Sequence, residues 1–149
     1  MKENVPSKYF IYADDDHDDR ETIADMITTI DPALKVVSVD NGRGVLNYLQ
    51  SLEERDVLPC FILLDINMPG MDGFKTLETL KSNDSFKKIP IILFTTSSQH
   101  RDIQLAKHLG AEKLITKPFS LQGINEITQQ FANFCHELPI RRKETSRQF

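Results

Sequence analysis

A chain of 149 residues fits one ordinary domain and can bury roughly two thirds of its unfolded surface, so it needs no covalent or metal staple to fold. With 22 acidic against 18 basic residues its net charge is -4, which argues against a general nucleic-acid binder, and no apolar run approaches the ~20 residues that span a bilayer. Cys60 and Cys135 have neither metal-ligand spacing nor the density of a secreted disulfide framework, and the polar start MKENVPSKYF carries no signal-peptide stretch. The expectation is a cytoplasmic protein in a reducing setting, with protein partners and neither nucleic acid nor membrane.

In chain order, residues 9–13 form a short apolar run rich in β-formers that stops at Asp14. Residues 20–30 then place Ile23, Met26, Ile27 and Ile30 at helical spacing and end in Asp31-Pro32, a helix stop. A second strand is expected over 34–39, a helix over 44–52, and a buried strand over 61–64 that runs into Asp65. A helix over 72–80 precedes an apolar run, 90–94, closed by Thr95 and Thr96. A fourth helix over 103–109 ends at Gly110, where a C-cap glycine belongs; a fifth strand, 114–116, and a helix over 121–134 complete the chain. Five strands strictly alternating with five helices predict right-handed crossovers and a doubly wound α/β fold, its parallel sheet covered on both faces. The domain is expected over 8–135. Residues 136–149 read as a polar, solvated tail carrying Arg141, Arg142 and Lys143, with no room for an output domain.

In an open parallel sheet, ligands sit outside the C-terminal strand ends near the point where strand order reverses. Asp14, Asp15 and Asp16 follow the first strand, Asp65 the third, Thr95 and Thr96 the fourth, and Thr116 and Lys117 the fifth. Any one of these has an ordinary use as a cap or turn residue. Their convergence is harder to assign to capping, because several carboxylates brought together repel and need a cation or protons. Oxygen-only ligands suit Mg²⁺, which takes one or two carboxylates, keeps waters and leaves room for a phosphoryl oxygen. Lys117 adds a point charge and Thr95 a hydroxyl, so the set can bind and transfer phosphoryl groups, with Asp65 the natural nucleophile.

The blocks YFIYADDDHDD, FILLDINMPGMDGF, IPIILFTTSS and GAEKLITKPFS, in this order and at these intervals, resemble response-regulator receivers of bacterial two-component systems. The resemblance covers about residues 8 to 135 and implies a five-stranded flavodoxin-like sheet of order 2-1-3-4-5. By position it makes Asp65 the phosphoacceptor, Asp14 and Asp15 the acidic pair with Asp15 a direct Mg²⁺ ligand, and Asn67 a metal ligand through its backbone carbonyl. Asp16 is then surplus. Thr95 and Lys117 would contact the phosphoryl group, the Lys117-Pro118 peptide would be cis, and side chains at Asn67 and Ser97 would set the lifetime of the acyl phosphate. The implied donor is a sensor histidine kinase or phosphotransfer protein. The implied output is a downstream protein contact, homodimerisation being left open, and no catalysis beyond slow self-dephosphorylation is expected.

One position departs from the pattern. Receivers usually carry Tyr or Phe three residues before the lysine, and here it is Leu114, which cannot make a phenol hydrogen bond. The TTSS after the fourth strand, the connection over 51–58 and the missing output domain look most like stand-alone receivers that partner phytochrome-type or other sensor kinases. Two alternatives carry less weight. A Mg²⁺-dependent phosphohydrolase of the haloacid-dehalogenase type would place its nucleophile after the first strand in a DxDx[TV] motif, and a phosphorylation-independent adaptor would not need the full set of phosphotransfer residues. The histidines, His17, His100, His108 and His136, are scattered and are read as surface residues.

Overall fold

The computed structural model describes residues 5–96 and 99–144. Its elements run β1 (Tyr9–Ala13), α1 (His17–Ile30), β2 (Lys35–Val39), α2 (Gly42–Ser51), β3 (Ile62–Leu64), α3 (Gly73–Lys81), β4 (Ile91–Thr95), α4 (His100–His108), β5 (Lys113–Thr116) and α5 (Leu121–Glu137). The expected alternation is present, with helix starts shifted by up to three residues because polar caps precede the apolar stripes. Asp16 caps α1 by accepting the Asp18 and Asp19 amides, and Asn41 caps α2 by accepting the Gly44 amide. Gly110, just past α4, takes a φ of 92°, which a side chain would oppose.

All strand pairings are parallel and the order is β2-β1-β3-β4-β5, as expected. The alternation of side chains along each strand divides the interior in two. Tyr9, Ile11, Ile62, Leu64, Ile91 and Leu93 pack with Val45, Leu49, Leu77, Leu80 and Ala106 from α2, α3 and α4. Phe10, Tyr12, Phe61, Leu63, Ile92 and Phe94 pack with Ile23, Ile27, Ile127 and Phe131 from α1 and α5. The second layer is strongly aromatic: Phe10 stacks on Phe61 at 4.5 Å, and Phe131 meets Phe94 edge-on at 5.5 Å. Leu114 packs, half-buried, in the first layer.

Two expectations about the chain's far end are corrected. Cys60 and Cys135 form a disulfide, with Cα atoms 5.4 Å apart and a sequence separation of 75. The fold sets the segment entering β3 beside the last turn of α5, inside the Cα range that a disulfide bridges. Residues 141–143 do not form a solvated tail. Val57 and Arg142 make an antiparallel bridge, and the Arg55 and Leu58 amides donate to the Lys143 and Arg141 carbonyls at 2.9 and 2.8 Å. The basic side chains are spent on carbonyls too: Arg141 on Lys88, Arg142 on Arg55, Lys143 on Leu52. The backbone of 52–58, left without helix or strand, needs these partners. Among the described residues no helix is long and apolar enough to cross a membrane.

Candidate functional site

Strand order reverses between β1 and β3, and the paired ends Ala13 and Leu64 set Asp14 and Asp65 side by side at one rim. The Asp65 amide donates to the Ala13 carbonyl at 2.9 Å, which fixes the two chain ends. One oxygen each of Asp14, Asp15 and Asp65 lies within 4.8 Å of the others. Asp14 and Asp65 are buried and Asp15 is exposed, so this acidic cluster faces solvent through Asp15. Gly73 lets α3 approach: a Cβ there would run into the Asp65 carbonyl and stand 2.9 Å from the Ile66 Cα.

Lys117 comes to this cluster from the end of β5. Its amide donates to the Thr95 carbonyl at 2.6 Å, and its Nζ lies 2.5 Å from Asp14 Oδ2, 3.0 Å from Asp19 Oδ2 and 3.4 Å from Asp65 Oδ2. The Lys117-Pro118 peptide is trans, since no cis bond occurs among the described residues; the lysine reaches the carboxylates without the expected isomer. Thr95, the last residue of β4, is buried at the same rim. The Asn67 amide donates to Asp65 Oδ1 at 3.2 Å, turning the loop after β3 around the carboxylate. Ser97 lies outside the described residues. Asp16 is used as the helix cap, in keeping with its surplus status. His17 opens α1 beside the rim and lies against Arg20 and Glu21 rather than the carboxylate cluster, and His136 pairs with Asp31 at the opposite end of the sheet.

Electrostatics follow from burial. Desolvation pushes the Asp65 carboxyl up to about 6; Lys117 opposes this, the Asp14 charge adds to it and the Asn67 amide lowers it. Burial alone would make Lys117 a weaker base, but the hydrogen bonds and charges of Asp14, Asp19 and Asp65 outweigh it and hold the ammonium above its ordinary value. The result is one cation shared by three carboxylates, a net negative site that accepts a further cation.

Two participants escaped sequence reasoning. Asp19, in the first turn of α1, holds Lys117, and Tyr12, buried in β1, donates its hydroxyl to Asp14 Oδ2 at 2.6 Å. Asp19 was visible only as one more acid in DDDHDD, whereas Tyr12 was legible in principle, since side chains two apart on a strand share a face.

The model of the response regulator receiver domain matches residues 10–129 of this chain. The chain belongs to the receiver family. The response regulator Rcp1 of Synechocystis sp. is 26% identical over 91% of this chain and 93% of its own length. The two-component response regulator ARR7 of Arabidopsis thaliana is 26% identical over 84% of this chain, which spans only 63% of that protein. Among solved structures, the phosphorylated cyanobacterial phytochrome response regulator RcpA superposes with a TM-score of 0.80 at 27% identity, covering 89% of this chain and 97% of RcpA. Receivers of two-component systems are signalling phosphoacceptors that take phosphoryl groups from histidine kinases and bind a divalent metal ion.

Proposed function

We propose that this receiver accepts a phosphoryl group on Asp65 from the phosphohistidine of a sensor kinase or phosphotransfer protein, and signals by protein contact. The observation that carries the reading is Lys117: a lysine from β5 lies among the carboxylates that β1 and β3 bring to one rim, with Asp65 the one set alone at its strand end.

The donor set fits Mg²⁺. Its oxygens would come from the clustered Asp14, Asp15 and Asp65, with the Asn67 carbonyl added by resemblance, and the cluster carries more negative charge than Lys117 can balance. When bound, the ion supplies a charge that shields the phosphoryl oxygens from the carboxylates. The chain's own residues do the rest. An Asp65 carboxylate oxygen attacks phosphorus, the phosphorus–nitrogen bond of the donor breaks, and its electron pair leaves with the imidazole. Lys117 is close enough to turn from Asp14 to the incoming phosphoryl oxygens, and Thr95, from β4, supplies the second donor.

Phe119 and Leu121, almost fully and largely exposed beside Lys117, give the rim an apolar border suited to a protein donor. A cytoplasmic setting fits a receiver that meets a kinase's phosphohistidine, although the Cys60–Cys135 disulfide is the kind of bond that persists in oxidising compartments. The domain then reaches past the expected limit of 135, since α5 ends at Glu137 and 141–143 serves as a strap on it and not as a free tail. Mass spectrometry after incubation with acetyl phosphate and Mg²⁺ tests the assignment: one phosphoryl group is expected on wild type and none on Asp65→Asn. Sustained turnover of a generic phosphomonoester would instead favour a phosphohydrolase.

A further inference from the structure

Tyr12 is fully buried in β1, wedged against Phe94 with ring centroids 6.2 Å apart, on the wall of a cleft of about 250 Å³ that also borders Lys117. A phenylalanine would fill the same space in the aromatic layer. The hydroxyl adds one interaction, the 2.6 Å bond to Asp14 Oδ2. That oxygen also receives Lys117 Nζ, while Asp14 Oδ1 accepts the Asp16 amide at 2.9 Å. Asp14 has no exposed surface, so water cannot replace a lost donor.

We infer that Tyr12 is a positioning residue that keeps Asp14 satisfied when Lys117 leaves it for the phosphoryl group on Asp65. The inference rests on the phosphoacceptor reading above. Lys117 is shared, and when its Nζ moves to a phosphoryl oxygen Asp14 Oδ2 loses its charged donor. With Tyr12 in place, a buried carboxylate retains a donor on each oxygen in both states. Without it, the release of Lys117 strands one oxygen, and the phosphorylated state is disfavoured relative to the resting one. Tyr12 thus acts through Asp14 and Lys117 without touching the reacting atoms.

The test uses the full chain as wild type, Tyr12→Phe and Asp65→Asn, with beryllofluoride at saturating Mg²⁺ as the phosphoryl mimic. Calorimetry is expected to give beryllofluoride binding to Tyr12→Phe weakened about tenfold, the scale of one hydrogen bond to a buried charge, while Mg²⁺ affinity alone changes less than threefold. Equal beryllofluoride affinity in wild type and Tyr12→Phe overturns the inference, even if the variant melts earlier, since a purely structural hydroxyl alters stability only. A second readout is the Tyr12 hydroxyl proton in NMR spectra, assigned by its absence from Tyr12→Phe. A slowly exchanging, downfield signal should persist when Mg²⁺ and beryllofluoride are added to wild type, and its loss on that addition overturns the inference. Failure of wild type to bind beryllofluoride, or equal binding by Asp65→Asn, strikes the phosphoacceptor reading itself and is distinguishable from either result.

Discussion

The two ends of this sheet are built on opposite principles. At the C-terminal rim, Asp14, Asp65 and Lys117 are buried around one another, and the Asp65 carboxyl is pushed up to about 6 by lost hydration. At the N-terminal end, a disulfide joins α5 to the segment entering β3, backbone bonds tie 141–143 to 55–58, and the Tyr9 hydroxyl donates to the Val57 carbonyl at 2.7 Å. One end stores electrostatic cost that a cation can relieve; the other supplies covalent and backbone ties. Function and stability are thus separated along the strands, and perturbing either end should leave a recognisable signature.

The largest effect is expected from the base. Replacing both cysteines by serine removes a cross-link that closes a loop across 75 residues, worth about 4 kcal/mol in the chain-entropy account. Thermal unfolding should fall accordingly, wild type in reductant should approach the variant, and acetyl-phosphate labelling of Asp65 should be unchanged below the melting range. Impaired labelling of the folded variant would break the separation of the two ends.

Next comes Lys117→Ala, which leaves three carboxylates without their shared cation. Removing one partner of a buried pair costs about 3 kcal/mol. Metal-free protein should lose this stability at neutral pH, and Mg²⁺ should restore more of it to the variant than it adds to wild type. Equal stabilisation of both by Mg²⁺, measured by differential scanning fluorimetry, would argue against a common charge deficit.

A smaller change of opposite sign is expected for Asp65→Asn without metal. The folded carboxyl holds its proton up to about 6, against 3.8 ordinarily, so ionised Asp65 works against the fold above that range. The amide should therefore raise the melting temperature by several degrees at pH 7.5. The gain should shrink as pH falls through 6 and vanish about one unit below 3.8, where folded and unfolded carboxyls are both protonated. A gain that grew towards low pH would reverse the sign of the argument.

What was legible in the sequence follows the same division. Parallel strands buried on both faces are short apolar runs, and the acids and threonines that end them mark the rim, so strand order and the positions of Asp14, Asp15, Asp65, Thr95 and Lys117 were readable from pattern and resemblance. The contacts of Lys117 with Asp14 and Asp19 join residues 103 and 98 apart, and no local period encodes which carboxylate meets the ammonium. The Cys60–Cys135 bond and the return of residues 141–143 were missed for a related reason. Both depend on where α5 ends relative to the 52–58 connection, a tertiary distance that composition read only as two stray cysteines and a basic tail.

The central claim is that the rim gathers its residues around Asp65 for phosphoryl acceptance, and peptide-mapping mass spectrometry after acetyl phosphate and Mg²⁺ treatment tests it most directly. A single phosphoryl group on the peptide containing Asp65, acid-stable and base-labile, absent from Asp65→Asn and removed by chelation before treatment, is the predicted result. Equal labelling of wild type and Asp65→Asn, or a phosphoryl group on another residue, would contradict it.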